Sequence, residues 1–257
     1  LTATGGASAG IVDSGNVAVA GNVTLTTDAG NGVINMGTLQ QSAGDLILVT
    51  NGTGAATVVN NAGIDFGTSN VGGALSATAS AGNITQNGGA ITVAGTSSFI
   101  LGANSANVVL DHASNAFSGA VTLLAGAGGS QAFGNVTFVD DSAVKIDANA
   151  DAAGDLYLNA GTDGAVGGNL AVTATTGNIT QGVAVAVTGT SAFTTSASDA
   201  TITLGTTTNA LGGTVAFTTA GTAGNVVIDN GTTGLDLAAS TINGTLTATG
   251  GATAGIV

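Results

Sequence analysis

The residues of this chain that could do chemistry are few and nearly all of one kind. Its 14 acidic residues are all Asp, and the only basic side chains are His112 and Lys145. With no Cys in the sequence, thiolate nucleophiles, disulfides and thiolate metal sites are excluded. Ser/His/Asp catalysis would have to use His112, in the stretch LDHASNAF. A turn histidine is the plainer reading. A carboxylate pair for acid–base work could only be two Asp, with nothing basic but Lys145 near enough to tune them.

One stretch concentrates charge: VDDSAVKIDANADAAGDLYL, residues 139–158, with Asp140, Asp141, Asp147, Asp151 and Asp155. Asp147, Asn149 and Asp151 have the D-x-N-x-D spacing that turns successive oxygens towards one cation, and Asp155 could add a fourth. These four are the candidate calcium ligands. Against them, Ala152 stands where an EF-hand loop needs Gly, and Leu158 where it needs a bidentate Glu. A solvated loop accounts for the same residues, and no other cofactor is expected. Thr-x-Thr segments (Thr2/Thr4, Thr24/Thr26, Thr201/Thr203, Thr247/Thr249) offer a second chemistry. A flat threonine ladder can bind ice or glycan, although Thr is also simply a good exposed strand residue.

The scaffold for these groups is unusual. Glycine occurs 44 times, there is no Pro or Trp, and charged residues make up 6% of the chain, against roughly 25% in ordinary soluble domains. Mean hydropathy is +0.49, but every apolar run is interrupted well before the ~20 residues of a spanning helix. A hydrophobic content of 44% argues against disorder. The net charge of −13 excludes a nucleic-acid binder, which needs Lys and Arg to neutralise phosphate, and disfavours anionic lipid. Neither nucleic acid nor membrane insertion is therefore expected. No signal peptide or initiator Met is present, so targeting information is expected outside this segment.

Internal repetition is the strongest signal. Residues 1–12, LTATGGASAGIV, return as LTATGGATAGIV at 246–257, identical at 11 of 12 positions and displaced by 245 residues. Within that super-repeat, GGALSATASAGNITQ (72–86) returns as GGNLAVTATTGNITQ (167–181), and ITVAGTSSF (91–99) as VAVTGTSAF (185–193). Aligning Leu1, Leu75, Leu170 and Leu246 divides the chain into units 1–74, 75–169 and 170–245, with 246–257 opening the next. All belong to one continuous solenoid.

Apolar pairs at i and i+2, such as Leu46/Leu48, Ile91/Val93, Val121/Leu123 and Ile202/Leu204, mark short strands with one buried face. Gly-Asn pairs stand between them at Gly15, Gly21, Gly82, Gly134, Gly168, Gly177 and Gly224. Both residues tolerate the positive φ that a sharp corner can need. The expected fold is all-β, a right-handed parallel β-helix. At about 20–25 residues per coil, the units hold roughly three, four and three coils, with about one extra coil in the longer middle unit. The super-repeat holds about ten coils and advances roughly 48 Å.

The GNITQ-containing units and the ITVAGTSSF and VAVTGTSAF segments that follow them resemble the repeats of filamentous-haemagglutinin-like and autotransporter-type bacterial surface adhesins. The resemblance implies a secreted protein at the cell surface or outside the cell, serving as the structural shaft of a long adhesin or fibre rather than as an enzyme. Its expected partners are neighbouring repeats of the same chain and laterally associated shafts. The host receptor is not legible in these residues. A binding module with a flat ice- or glycan-binding face, or a calcium-stabilised segment, is the alternative.

Overall fold

A computed structural model describes residues 1–6, 10–28, 30–126, 131–160, 164–251 and 255–257. Parts of the two terminal repeats LTATGGASAGIV and LTATGGATAGIV, residues 7–9 and 252–254, lie outside the described residues. Every regular element among those described is a β-strand. The strands form a 14-stranded sheet (the front sheet), a 13-stranded sheet (the back sheet) and a 3-stranded third wall. Neighbouring strands run parallel, and the chain winds between the walls as a β-solenoid of about 11 turns.

The alternation in the sequence decides which way each side chain points. Along Leu75–Ala79, Leu75, Ala77 and Ala79 are buried while Ser76 and Thr78 face outwards. Stacking then lines up equivalent positions: Leu75 lies against Ser97, and Ser97 against Val121. All seven Phe are fully buried. Phe66, Phe99, Phe117 and Phe138 form an axial column with ring centroids 6.0, 5.9 and 5.4 Å apart. Each buried aromatic contributes about 2–3 kcal/mol of burial, and each touches mainly the coils above and below.

The repeat units do not hold whole numbers of coils. Thr2–Gly5, opening the first unit, lies on the front sheet, whereas Leu75–Ala79 lies on the back sheet, Leu170–Ala174 on the front and Leu246–Thr249 on the back. The GNITQ motifs alternate too, with Ile84–Gln86 in front and Ile179–Gln181 behind. Each unit therefore advances about three and a half coils, and the super-repeat about ten and a half. This corrects the expectation of three, four and three.

The extra length of the middle unit is correspondingly not a coil. It appears as one additional strand, Asp155–Asn159, inserted in the back sheet between Val121–Ala125 and Val144–Asp147. At the same level the front sheet runs from Val108–Leu110 through Val136–Asp140 to Leu170–Ala174 with no such addition.

The Gly-Asn corners also work differently from expectation. Of the seven glycines only Gly82 has a positive φ, at 86°, and no Asn does. The asparagines instead form a ladder. The Oδ1 of Asn83 accepts the Asn107 amide at 2.9 Å, that of Asn107 the Asn135 amide at 2.6 Å, that of Asn135 the Asn169 amide at 2.9 Å, and that of Asn169 the Thr190 amide at 2.8 Å. The preceding glycine passes directly over the carboxamide below. A Cβ on Gly134 would lie 2.4 Å from the Asn107 Oδ1, and one on Gly168 2.6 Å from the Asn135 Oδ1. Close approach, not handedness of φ, is what selects glycine there.

Candidate functional site

The inserted strand and its neighbour carry the charge concentration read from the sequence. Val144–Asp147 and Asp155–Asn159 are parallel neighbours, with Lys145 beside Asp155 and Asp147 beside Tyr157. The two-residue alternation puts Lys145 and Asp147 on one outward face. Their side chains form an ion pair, and the Lys145 Nζ also lies 3.8 Å from the Asp155 Oδ1. Asp155 is almost fully buried, and its Oδ2 accepts the Ala152 amide at 2.8 Å. A shallow cavity of about 300 Å³ opens beside the pair, lined among others by Lys145, Gly154, Asp155, Asn178 and Thr180. The hydrogen bond from Lys145 holds the Asp147 carboxyl below its ordinary range, while that same bond raises Lys145.

This geometry does not assemble the four calcium candidates. Asp147 and Asp155 converge on the ammonium of Lys145, which occupies the place a cation would take between them. Asn149 donates from Nδ2 to the Asp151 Oδ2 at 3.0 Å, a separate contact. Among the described residues, no three acidic or His side chains lie close enough to share a metal. Asp147 closes the strand Val144–Asp147, whose alternation aims it at Lys145, while Asn149 and Asp151 lie in the loop that follows.

Asp140, at the end of Val136–Asp140, is the other buried carboxylate, 2% exposed. It accepts the Phe117 and Asp141 amides, both at 2.9 Å, and the Ser142 hydroxyl at 2.7 Å. Burial raises its pKa despite these donors.

His112 sits in a turn. Its Nδ1 accepts the Ser114 amide at 3.1 Å, and its own amide donates to the Gln86 Oε1 at 3.3 Å. The latter contact belongs to a clasp that sequence reasoning missed. The Gln86 Nε2 donates to the Asn115 Oδ1 at 2.6 Å, the Asn115 Nδ2 returns a bond to the Gln86 Oε1 at 2.9 Å, and the Asn115 Oδ1 also accepts the Ile91 amide at 2.9 Å. The same clasp recurs between Gln181 and Asn209, at 2.8 and 3.0 Å, with the Val185 amide at 2.8 Å. Thr206 there takes the place of His112. The signal was available: LDHASNAF (110–117) and LGTTTNAL (204–211) share Leu, Asn and Ala at matching positions.

The Thr-x-Thr ladder stops after two strands. Thr2 and Thr4 stack on Thr24 and Thr26, but these meet Ile47 and Val49 on the next coil. Thr203 and Thr247 both meet Val227, and Thr249 meets Asp229.

The chain matches the family described as Repeats of unknown function (DUF5649) over residues 53–124 and 133–218, more than half its length. It belongs to this family. The two DUF5649 stretches end at Leu124 and Thr218, 94 residues apart, the displacement that carries ITVAGTSSF onto VAVTGTSAF. One stretch therefore ends on the back sheet and the other on the front. No curated protein and no solved structure matches the chain.

Proposed function

We propose that this DUF5649 chain is a length of shaft from a secreted, tandem-repeat adhesin or fibre at a bacterial cell surface, with a mechanical rather than catalytic role. The observation that carries this reading is the unbroken restart of the repeat. Residues 246–249 restate residues 1–4, yet pair in register on Val226–Asp229, with Leu246 beside Val226 and Thr247 beside Val227. A unit can thus be added to the stack without redesigning a core, because each coil contacts only its neighbours. The catalytic alternative draws no support from His112, whose ring accepts the Ser114 turn amide and whose counterpart is Thr206.

Electron microscopy of the native material, with averaged power spectra along filaments, tests the proposal. A layer line at about 4.8 Å with an axial repeat near 50 Å is expected from ten and a half stacked coils. Short discrete rods lacking that repeat overturn it.

A further inference from the structure

The outer faces of the solenoid are chemically uneven. On the back sheet, four stacked strands present two outward rows. One is a hydroxyl row, Thr57–Ser76–Ser98–Thr122, and the other a mostly aliphatic row, Val59–Thr78–Ile100–Leu124. Three and a half coils further on, the equivalent strands lie on the front sheet. Their rows are Ala171–Ala192–Ala216 and Thr173–Thr194–Thr218. None of these residues is charged, in a chain of net charge −13. The side opposite each face is not neutral: Asp65 faces out of the front sheet behind the first, and Lys145 and Asp147 out of the back sheet behind the second.

From this we infer that the two uncharged faces pack on one another, the back face of one molecule against the front face of a second copy of this chain. This rests on the shaft reading. Two arguments select the occupant. Through these faces, like-charged acidic rods can approach without desolvating unpaired carboxylates. The rows are also complementary. When two solenoids lie side by side with axes pointing the same way, the facing strands run antiparallel, so the first row of one meets the second row of the other. The Thr/Ser row, 57–76–98–122, then meets Thr173–Thr194–Thr218, and the aliphatic row, 59–78–100–124, meets Ala171–Ala192–Ala216. Hydroxyls face hydroxyls and apolar groups face apolar groups.

The contact joins different faces, so it does not close into a dimer but propagates as an open array, with the two faces of each copy about four coils, or roughly 19 Å, apart along the axis. Four five-residue strands cover roughly 16 by 19 Å, about 300 Å². That is well below the ~800 Å² per partner of a standard stable interface. A single contact is therefore weak, and tandem shafts gain strength from many contacts in series.

The absence of Cys allows a direct test on the full chain. Ser98→Cys protein is mixed with Thr194→Cys protein under mild oxidation, beside a control mixture of Thr85→Cys with Thr180→Cys, whose thiols stack on Asp65 and on Lys145 of the Lys145–Asp147 pair. The expected result is mixed disulfide dimers roughly tenfold more abundant in the first mixture, since weak contacts raise local thiol concentration. They should disappear when Leu124→Asp is added, with the strand circular dichroism unchanged. Equal cross-linking in both mixtures, or Ser98→Cys homodimers alone, overturns the pairing of opposite faces. Electron microscopy separates the two proposals: a retained 4.8 Å layer line and axial repeat without cross-linking refutes the face pairing only, whereas loss of the axial repeat refutes the shaft itself.

Discussion

The turn around His112 and the turn around Thr206 are built on the same frame, on opposite sides of one molecule. In each, a buried Asn and a Gln exchange a pair of hydrogen bonds, and the Asn caps the amide of the strand below. The residue that rides on the frame differs completely, an imidazole in one and a hydroxyl in the other. What the coil requires is thus concentrated in its buried amides and its closest backbone approaches, while the outer residue is free to change. It also follows that front and back sheets are interchangeable environments, since one repeat folds the same way in either.

The severest test of that equivalence removes the frame. Asn115→Leu and Asn209→Leu should each cost about 3 kcal/mol, because each removes both bonds to the Gln and leaves a buried strand amide without its acceptor. Urea midpoints should fall for both, further for Asn209, whose Nδ2 also donates to the Leu204 and Asp229 carbonyls, and a fall at only one would mean that front and back are not equivalent. Slightly smaller is the effect expected at the corner ladder. Gly168→Ala, whose Cβ would lie 2.6 Å from the Asn135 Oδ1, should lose about 2 kcal/mol. Gly15→Ala, whose Cβ meets nothing within 4 Å, should change the midpoint little.

Asp140 sharpens the comparison from another direction. It caps the Phe117 amide as Asn115 caps that of Ile91, but with a carboxylate. Since burial holds its pKa above the ordinary 3.8, the folded state binds the proton more tightly than the unfolded chain. Its contribution to stability therefore falls as pH rises from the ordinary carboxylate range through the raised folded value. Asp147 has the opposite sign: Lys145 lowers its pKa, so its contribution is present above the ordinary value and fades as pH falls through the folded one. Asp140→Asn should raise stability at neutral pH by about 1 kcal/mol and remove the Asp140 slope, read as unfolding midpoints across pH 3–7. The equivalent residues Ser97 and Ser191 have buried hydroxyls without partners, so changing either to Ala should stabilise by up to about 1 kcal/mol, again equally on both faces. The smallest effect is expected for His112→Thr, within about 0.5 kcal/mol.

The strands, the parallel stacking and the repeat were legible because all three are patterns of period two or of whole units, and stacking simply superimposes them. Leu75 and Leu170 could be aligned from sequence, but not placed on opposite sheets, because nothing local distinguishes a whole coil from a half. The insertion was legible as length alone. Whether some twenty residues form a turn or a single added strand depends on pairing with Val121–Ala125, a long-range choice. The calcium candidates are set apart for a related reason: Asp147 belongs to a strand and Asn149 and Asp151 to the loop after it, and the lone Lys lies on the same face as Asp147.

The strand Asp155–Asn159 has a further consequence. It makes one rail of this ladder a rung longer than the other. A wall taller by about 4.8 Å, facing a wall about 10 Å away, corresponds to a splay of roughly 25° at that level when both walls keep their ordinary spacing. In the proposed shaft, one such wedge in each super-repeat would give the axis an elbow. Because successive super-repeats enter half a turn out of phase, the elbows would point in opposite directions in alternation. Such a fibre would undulate about a straight mean line rather than curl into a ring, and could lengthen under tension before any coil came apart.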